Sequence, residues 1–157
     1  MAYRITGLSP EPFKDLWSME DDALAALNTR RVIADSDRGF PCRITLQDAD
    51  AGESLLLLPY QHHDVEGPYR ASGPIFIRQQ ATAAANFQDR IPPSFLHRLL
   101  SVRAYDRSGW MHAAEVVKGT GLEATITSFF ERDELAYLHI HNARPGCYAC
   151  RVDRVVP

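Results

Sequence analysis

A chain of 157 residues with 45% hydrophobic and 24% charged side chains has an ordinary globular composition, and one domain over residues 1–157 can bury enough apolar surface to need no disulfide or structural metal. A net charge of −3 supplies no long-range attraction to nucleic acid or to an anionic membrane, so both are set aside as partners. The N-terminal MAYRITGLSPEPFKDL lacks the basic-then-apolar order of an export signal and no run approaches the length of a membrane span, so the three cysteines are expected as thiols in a reducing cytoplasm.

Taken in order, Tyr3–Leu8 reads as an opening strand, and Pro10 and Pro12 start a helical turn with Phe13, Leu16 and Trp17 on one side. Ser18–Asp21 looks like a helix cap before Ala23, Leu24 and Leu27, with Asn28 closing the helix. Arg31–Ala34, Arg43–Leu46 and Ser54–Leu58 are strand candidates, and the doubly apolar Leu55–Leu58 predicts a central strand covered on both faces. From Tyr60 to Gly73 the pattern disappears, and QHHDVEGPYRASG reads as a long irregular loop. Loops of that length are often functional, which makes His62, His63, Asp64, Tyr69 and Arg70 second-rank candidates.

Pro74–Arg78 is a further strand, and Gln79–Arg90 a weak helix or a surface excursion. Pro92-Pro93-Ser94 opens a short helix that turns Phe95, Leu96, Leu99 and Leu100 inward and His97 outward. Ser101–Tyr105 and Trp110–Val117 form a hairpin across Asp106–Gly109, whose Asp-first, Gly-last order suits a type I turn. Thr120-Gly121-Leu122-Glu123 matches a capping box, opening a helix with Leu122, Ile126, Phe129 and Phe130 as its apolar stripe to about Glu131. The last hairpin folds around Pro145-Gly146. The sum is an α+β protein, a mainly antiparallel sheet built from hairpins with a few short helices packed on it.

The densest chemistry lies in Leu135–Asp153, LAYLHIHNARPGCYACRVD, which holds two of the six histidines and two of the three cysteines. Strand alternation puts Tyr137, His139 and His141 on one face and Leu138, Ile140 and Asn142 on the other, with the two imidazoles about 6.5–7 Å apart at their backbones. A two- or four-residue turn sets Tyr148 and Cys150 beside the histidines, whereas three or five residues set Cys147 and Arg151 there. Imidazoles suit proton transfer at neutral pH. They also suit metal ligation, but no metal motif such as HExxH is present, so no metal is assigned; His139 and His141 would be its ligands, with a third from Cys147, Cys150, His62, His63 or Asp64. Cys147 is a candidate nucleophile with Asn142 orienting its partner, against the plainer reading of a buried apolar thiol. Arg103, Arg70 and Arg151 could line an anion site, or pair on the surface with Asp106 and Asp153.

The ordered set FPCRITL at Phe40–Leu46, LLLLPY at Leu55–Tyr60, PYRASGPIFI at Pro68–Ile77, SVRAYD at Ser101–Asp106 and YLHIHNARPGCYACRVDR at Tyr137–Arg154 resembles a bacterial family, domain of unknown function 1203. The resemblance implies a bacterial single-domain protein of about this size and carries over no catalytic residue or cofactor. Two readings follow from the residues. One is a small-molecule pocket using histidine acid–base chemistry on an anionic or polar metabolite, with His139, His141 and Cys147 as the reacting groups and Arg103, Tyr69, Arg70, Asn142 and Arg151 as the binding groups. The other is a non-enzymatic interaction module, a homodimer in which the HxH face, Tyr137 and Tyr148 form the subunit contact.

Overall fold

Among residues 2–157, which the computed structural model describes, nine strands pair into two sheets whose ladders are all antiparallel. The larger sheet has six strands: β1 (Tyr3–Thr6), β5 (Asn86–Gln88), β6 (Leu99–Tyr105), β7 (Met111–Lys118), β8 (Tyr137–Asn142) and β9 (Tyr148–Arg154), in the spatial order β5-β1-β9-β8-β6-β7. The smaller has β2 (Arg30–Ile33), β3 (Ser54–His63) and β4 (Ala71–Arg78), with β3 central. The helices are short: α1 (Asp21–Ala26), α2 (Leu122–Phe130), and 3-10 segments at Glu11–Ser18, Pro93–His97 and Gly119–Gly121. The fold is α+β, as expected, and no helix among the described residues is long and apolar enough to cross a membrane.

The alternation of β8 explains the layering. Leu138 and Ile140 join Leu100, Val102, Ala104 and Val152 on the face that packs against Leu122, Ile126 and Phe130 of α2, all essentially inaccessible to solvent. A fully buried aliphatic side chain stabilises by roughly 1.5–3 kcal/mol, so this face carries much of the fold's stability. A second core gathers Leu56, Leu58, Ile75 and Ile77 of β3 and β4 under Phe13 and Leu24. The opposite face of β8 points toward the end of β3.

Several local expectations are corrected. The stretch from Tyr60 is not irregular: β3 runs on to His63 and β4 begins at Ala71, so only the connection between them is a loop. Arg43–Leu46 is a turn rather than a strand; Leu46 takes a positive φ of 54°, its amide donates to the Cys42 carbonyl, and Arg43 is turned inward. The Thr120 capping box does not form, because Gly119–Gly121 winds as a 3-10 turn and leaves Gly121 at the N-cap; the helix that follows is the expected one. Leu96 stays exposed because the 3-10 turn of Pro93–His97 presents only Phe95 to the core, and Leu99, already in β6, alternates outward from the buried Leu100. Residues 79–90 are a surface excursion that contributes β5 to the sheet edge.

Candidate functional site

Four of the six histidines meet where β3 abuts β8. Two β-bulges bring this about. In β3, Tyr60 pairs with Gly73 but His63 with Ala71, so one extra residue sits in the strand. Neighbours on a regular strand point to opposite faces. The extra residue lets both His62 and His63 reach the cluster, with ring centres 6.2 and 4.9 Å from that of His139. In β9, His139 pairs with Arg151 while His141 pairs with Tyr148, and this second bulge sets both partners against the imidazole face. Each register weighed from the sequence therefore supplies one neighbour: Tyr148 from one, Arg151 from the other. Cys150 turns into the α2-side core, and burial pushes its thiol pKa up.

The cluster is aromatic and dry. His62 stacks on Tyr148 at 5.1 Å with an 11° interplanar angle, and His63 lies 4.2 Å from Tyr105. Tyr137 stacks on Tyr105 at 5.4 Å, and the Arg151 guanidinium covers the Tyr137 ring at 4.0 Å. His139 and His141 are 2% and 1% exposed. Burial, helped by His63 and His141, pushes the His139 pKa down to about 2; burial, assisted by Arg103 and partly opposed by the bond to Gly146, brings His141 to about 4. His62 is lowered too, by burial and then by His63. All three are neutral imidazoles at neutral pH.

The hydrogen bonds define two different roles. His63 places Nδ1 2.7 Å from the Tyr69 carbonyl and Nε2 2.6 Å from the Tyr137 hydroxyl. A carbonyl can only accept, so Nδ1 carries a proton, and in the singly protonated ring this leaves Nε2 to accept from the Tyr137 hydroxyl. In the same way His141 donates from Nδ1 to the Gly146 carbonyl at 3.0 Å, leaving Nε2 as a bare acceptor. That Nε2, together with Nδ1 of His62 and Nδ1 of His139, is buried without a hydrogen-bond partner among the described residues. Buried polar atoms are nearly always paired, so three such nitrogens in one place call for an explanation.

A cleft of about 330 Å³ opens onto this cluster, lined by Tyr60, His62, His63, His139, Tyr137, Tyr148 and Arg151 and closed by the end of β1 at Gly7. Gly7 is required there, as a Cβ would stand 2.0 Å from the Ile44 carbonyl oxygen. Arg103 sits directly opposite His139 on β6 and leans on Ser101 and Tyr105. No group of three or more His, Cys, Asp or Glu among the described residues has metal-holding geometry.

The other sequence candidates lie elsewhere. Cys147 lines a separate cleft with Asn142, whose Nδ2 approaches its sulfur at 3.5 Å, so neither joins the histidines there. Arg70 is exposed and pairs with Asp64 at 3.2 Å; Tyr69 contributes its carbonyl, while its ring packs on Trp110. The subunit contact imagined for the HxH face meets a direct obstacle, because His139, His141, Tyr137 and Tyr148 are all covered by their own chain. His62 and His63, placed in a loop by the sequence pattern, belong to the strand and to the cluster. Their signal was an unbroken polar continuation of the apolar β3 run, in which Tyr60 and His62 keep strand alternation.

No curated protein and no solved structure matches the chain. The model of a family described as proteins of unknown function, DUF1203, matches residues 39–154, a span that holds every histidine and tyrosine of the cluster. On that match the chain belongs to the DUF1203 family.

Proposed function

We propose that the cleft between β3 and β8 binds a small polar or anionic metabolite, held by neutral imidazoles with Arg103, and Arg151 shared with Asp153 at 2.8 Å, supplying positive charge. The observation that carries this reading is the set of three buried, unpartnered nitrogens, on His62 and His139, which line the cleft, and on His141 beside them. Leaving a buried polar nitrogen unsatisfied costs about 1–3 kcal/mol, and a ligand that hydrogen-bonds to these atoms recovers it. Arg103 has no carboxylate in ion-pair distance among the described residues, which favours an anionic ligand.

The acid–base capacity of the cleft rests on His63 and Tyr137 rather than on His139 and His141. In the chain from the Tyr69 carbonyl through His63 to the Tyr137 hydroxyl, the imidazole is positioned to take the phenolic proton as Tyr137 receives one from a bound molecule. His139 and His141, too weakly basic to hold a second proton at neutral pH, act as neutral hydrogen-bonding groups that orient the ligand. We place the protein in a bacterial cytoplasm, on the family resemblance and on three free thiols that suit a reducing compartment.

The test is a thermal-shift screen of small carboxylates, phosphates and polyols, beside elemental analysis of the purified protein. A ligand at a hundred times its dissociation constant adds about 2.7 kcal/mol of stability. The expected result is a hit whose stabilisation disappears in His139→Gln and in His62→Gln. A panel without hits, or hits that keep their effect in both variants, overturns the reading.

A further inference from the structure

The most anomalous charge in the molecule is outside the histidine cleft. Arg43 is 2% exposed, yet no carboxylate among the described residues lies in ion-pair distance of it. Its Nε donates to the Tyr148 carbonyl at 2.6 Å and its Nη1 to the Pro41 carbonyl, and the charged or polar side chains near it are the Cys147 and Cys42 thiols and a second guanidinium, that of Arg98. A guanidinium cannot shed its proton under physiological conditions, and buried charges are ordinarily paired. Carbonyl dipoles and a thiol are a partial substitute for an anion.

The surroundings add to the excess. Arg43 lines a cleft of about 490 Å³ that shares no lining residue with the histidine cleft and also holds Arg98 and, at its exposed mouth, Arg38 and Arg144. The one carboxylate there, Asp48, already pairs with Arg98. Four guanidiniums thus face a single committed acid, in a chain whose net charge is −3. Phe76, Leu99 and Pro145 supply an apolar wall, and the volume falls in the range of small-molecule sites, about 300–1,000 Å³.

We propose that this second cleft is a binding site for an oxyanion, the carboxylate or phosphate group of a small molecule with an apolar body, which neutralises Arg43 and lies beside the Cys147 sulfur. A guanidinium matches a carboxylate or phosphate through paired N–H donors, and the mouth arginines steer the anion inward.

Cys147 makes the proposal measurable. It is the accessible thiol, since Cys42 and Cys150 are each 1% exposed. On the full chain at neutral pH and low salt, alkylation by anionic iodoacetate is compared with alkylation by neutral iodoacetamide, using glutathione as the reference thiol and mass spectrometry to locate the adduct. Charge focusing of this kind raises an anion's encounter rate by 10-fold or more, so the iodoacetate-to-iodoacetamide ratio at Cys147 is expected roughly tenfold above that of glutathione. The ratio falls with added sodium chloride and in Arg38→Gln and Arg144→Gln, which alter exposed side chains and should leave the thermal melt in place. Millimolar inorganic phosphate and benzoate are the two protection arms. Protection by phosphate alone marks a phosphate site, protection by benzoate alone a carboxylate site with an apolar requirement, and protection by both a general oxyanion site. A ratio equal to that of glutathione, or protection by neither, overturns the proposal.

Discussion

The two faces of β8 are equally buried and chemically opposite. Leu138 and Ile140 enter a core of buried aliphatic and aromatic side chains, whereas Tyr137, His139 and His141 enter a layer of rings in which some nitrogens have partners and others have none. Burial alone therefore does not mark the site. What separates the faces is whether polar atoms, once removed from water, are paired: the α2 side stabilises the fold, and the imidazole side gives up stability for unfilled hydrogen-bonding capacity.

The largest expected effect is on the apolar face. Ile140→Ala removes a fully buried branched side chain and should cost about 4 kcal/mol in chemical denaturation while leaving the imidazole pKa values unchanged. Acid comes next. His139 and His141 are held far below their ordinary value near 6.5 in the fold and regain it when the chain unfolds, so the unfolded state binds more protons below that pH. Their stability contribution is complete above about pH 6.5 and is lost as pH falls toward 4 for His141 and toward 2 for His139. Between neutrality and pH 5 each imidazole should cost about 2 kcal/mol, read as a falling urea midpoint. A flat profile would show that the rings reach water.

Smaller effects probe the pairing itself. Tyr137→Phe strands Nε2 of His63 without its donor and is expected to cost about 1–2 kcal/mol. His139→Leu, by contrast, deletes an unpartnered nitrogen at similar volume, so its stability should stay within about 1 kcal/mol of the parent or rise, with about half of the acid sensitivity gone. If His139→Leu proved as damaging as Ile140→Ala, the two faces would be doing the same job.

This contrast was partly legible in the residues. The alternation in Tyr137–Asn142, the stripe of α2 and the hairpin across Asp106–Gly109 are local periodicities, and they appear in the fold where local spacing puts them. The bulges are not local. An extra residue in β3 is defined only against β4, and one in β9 only against β8, so neither the approach of His62 and His63 nor the joint presence of Tyr148 and Arg151 could be read from spacing. Arg43 was hidden for the same reason: its bond to the Tyr148 carbonyl spans 105 positions of the chain, and the strand expected at Arg43–Leu46 hid the turn that sends it inward.

The most direct test of the central claim is a pH titration of the imidazole nitrogens by 15N NMR in the intact protein. His139 and His141 should remain neutral down to pH 5, with His141 protonated at Nδ1 and bare at Nε2. Titration of both rings near pH 6.5, in the manner of solvent-exposed histidines, would contradict the account.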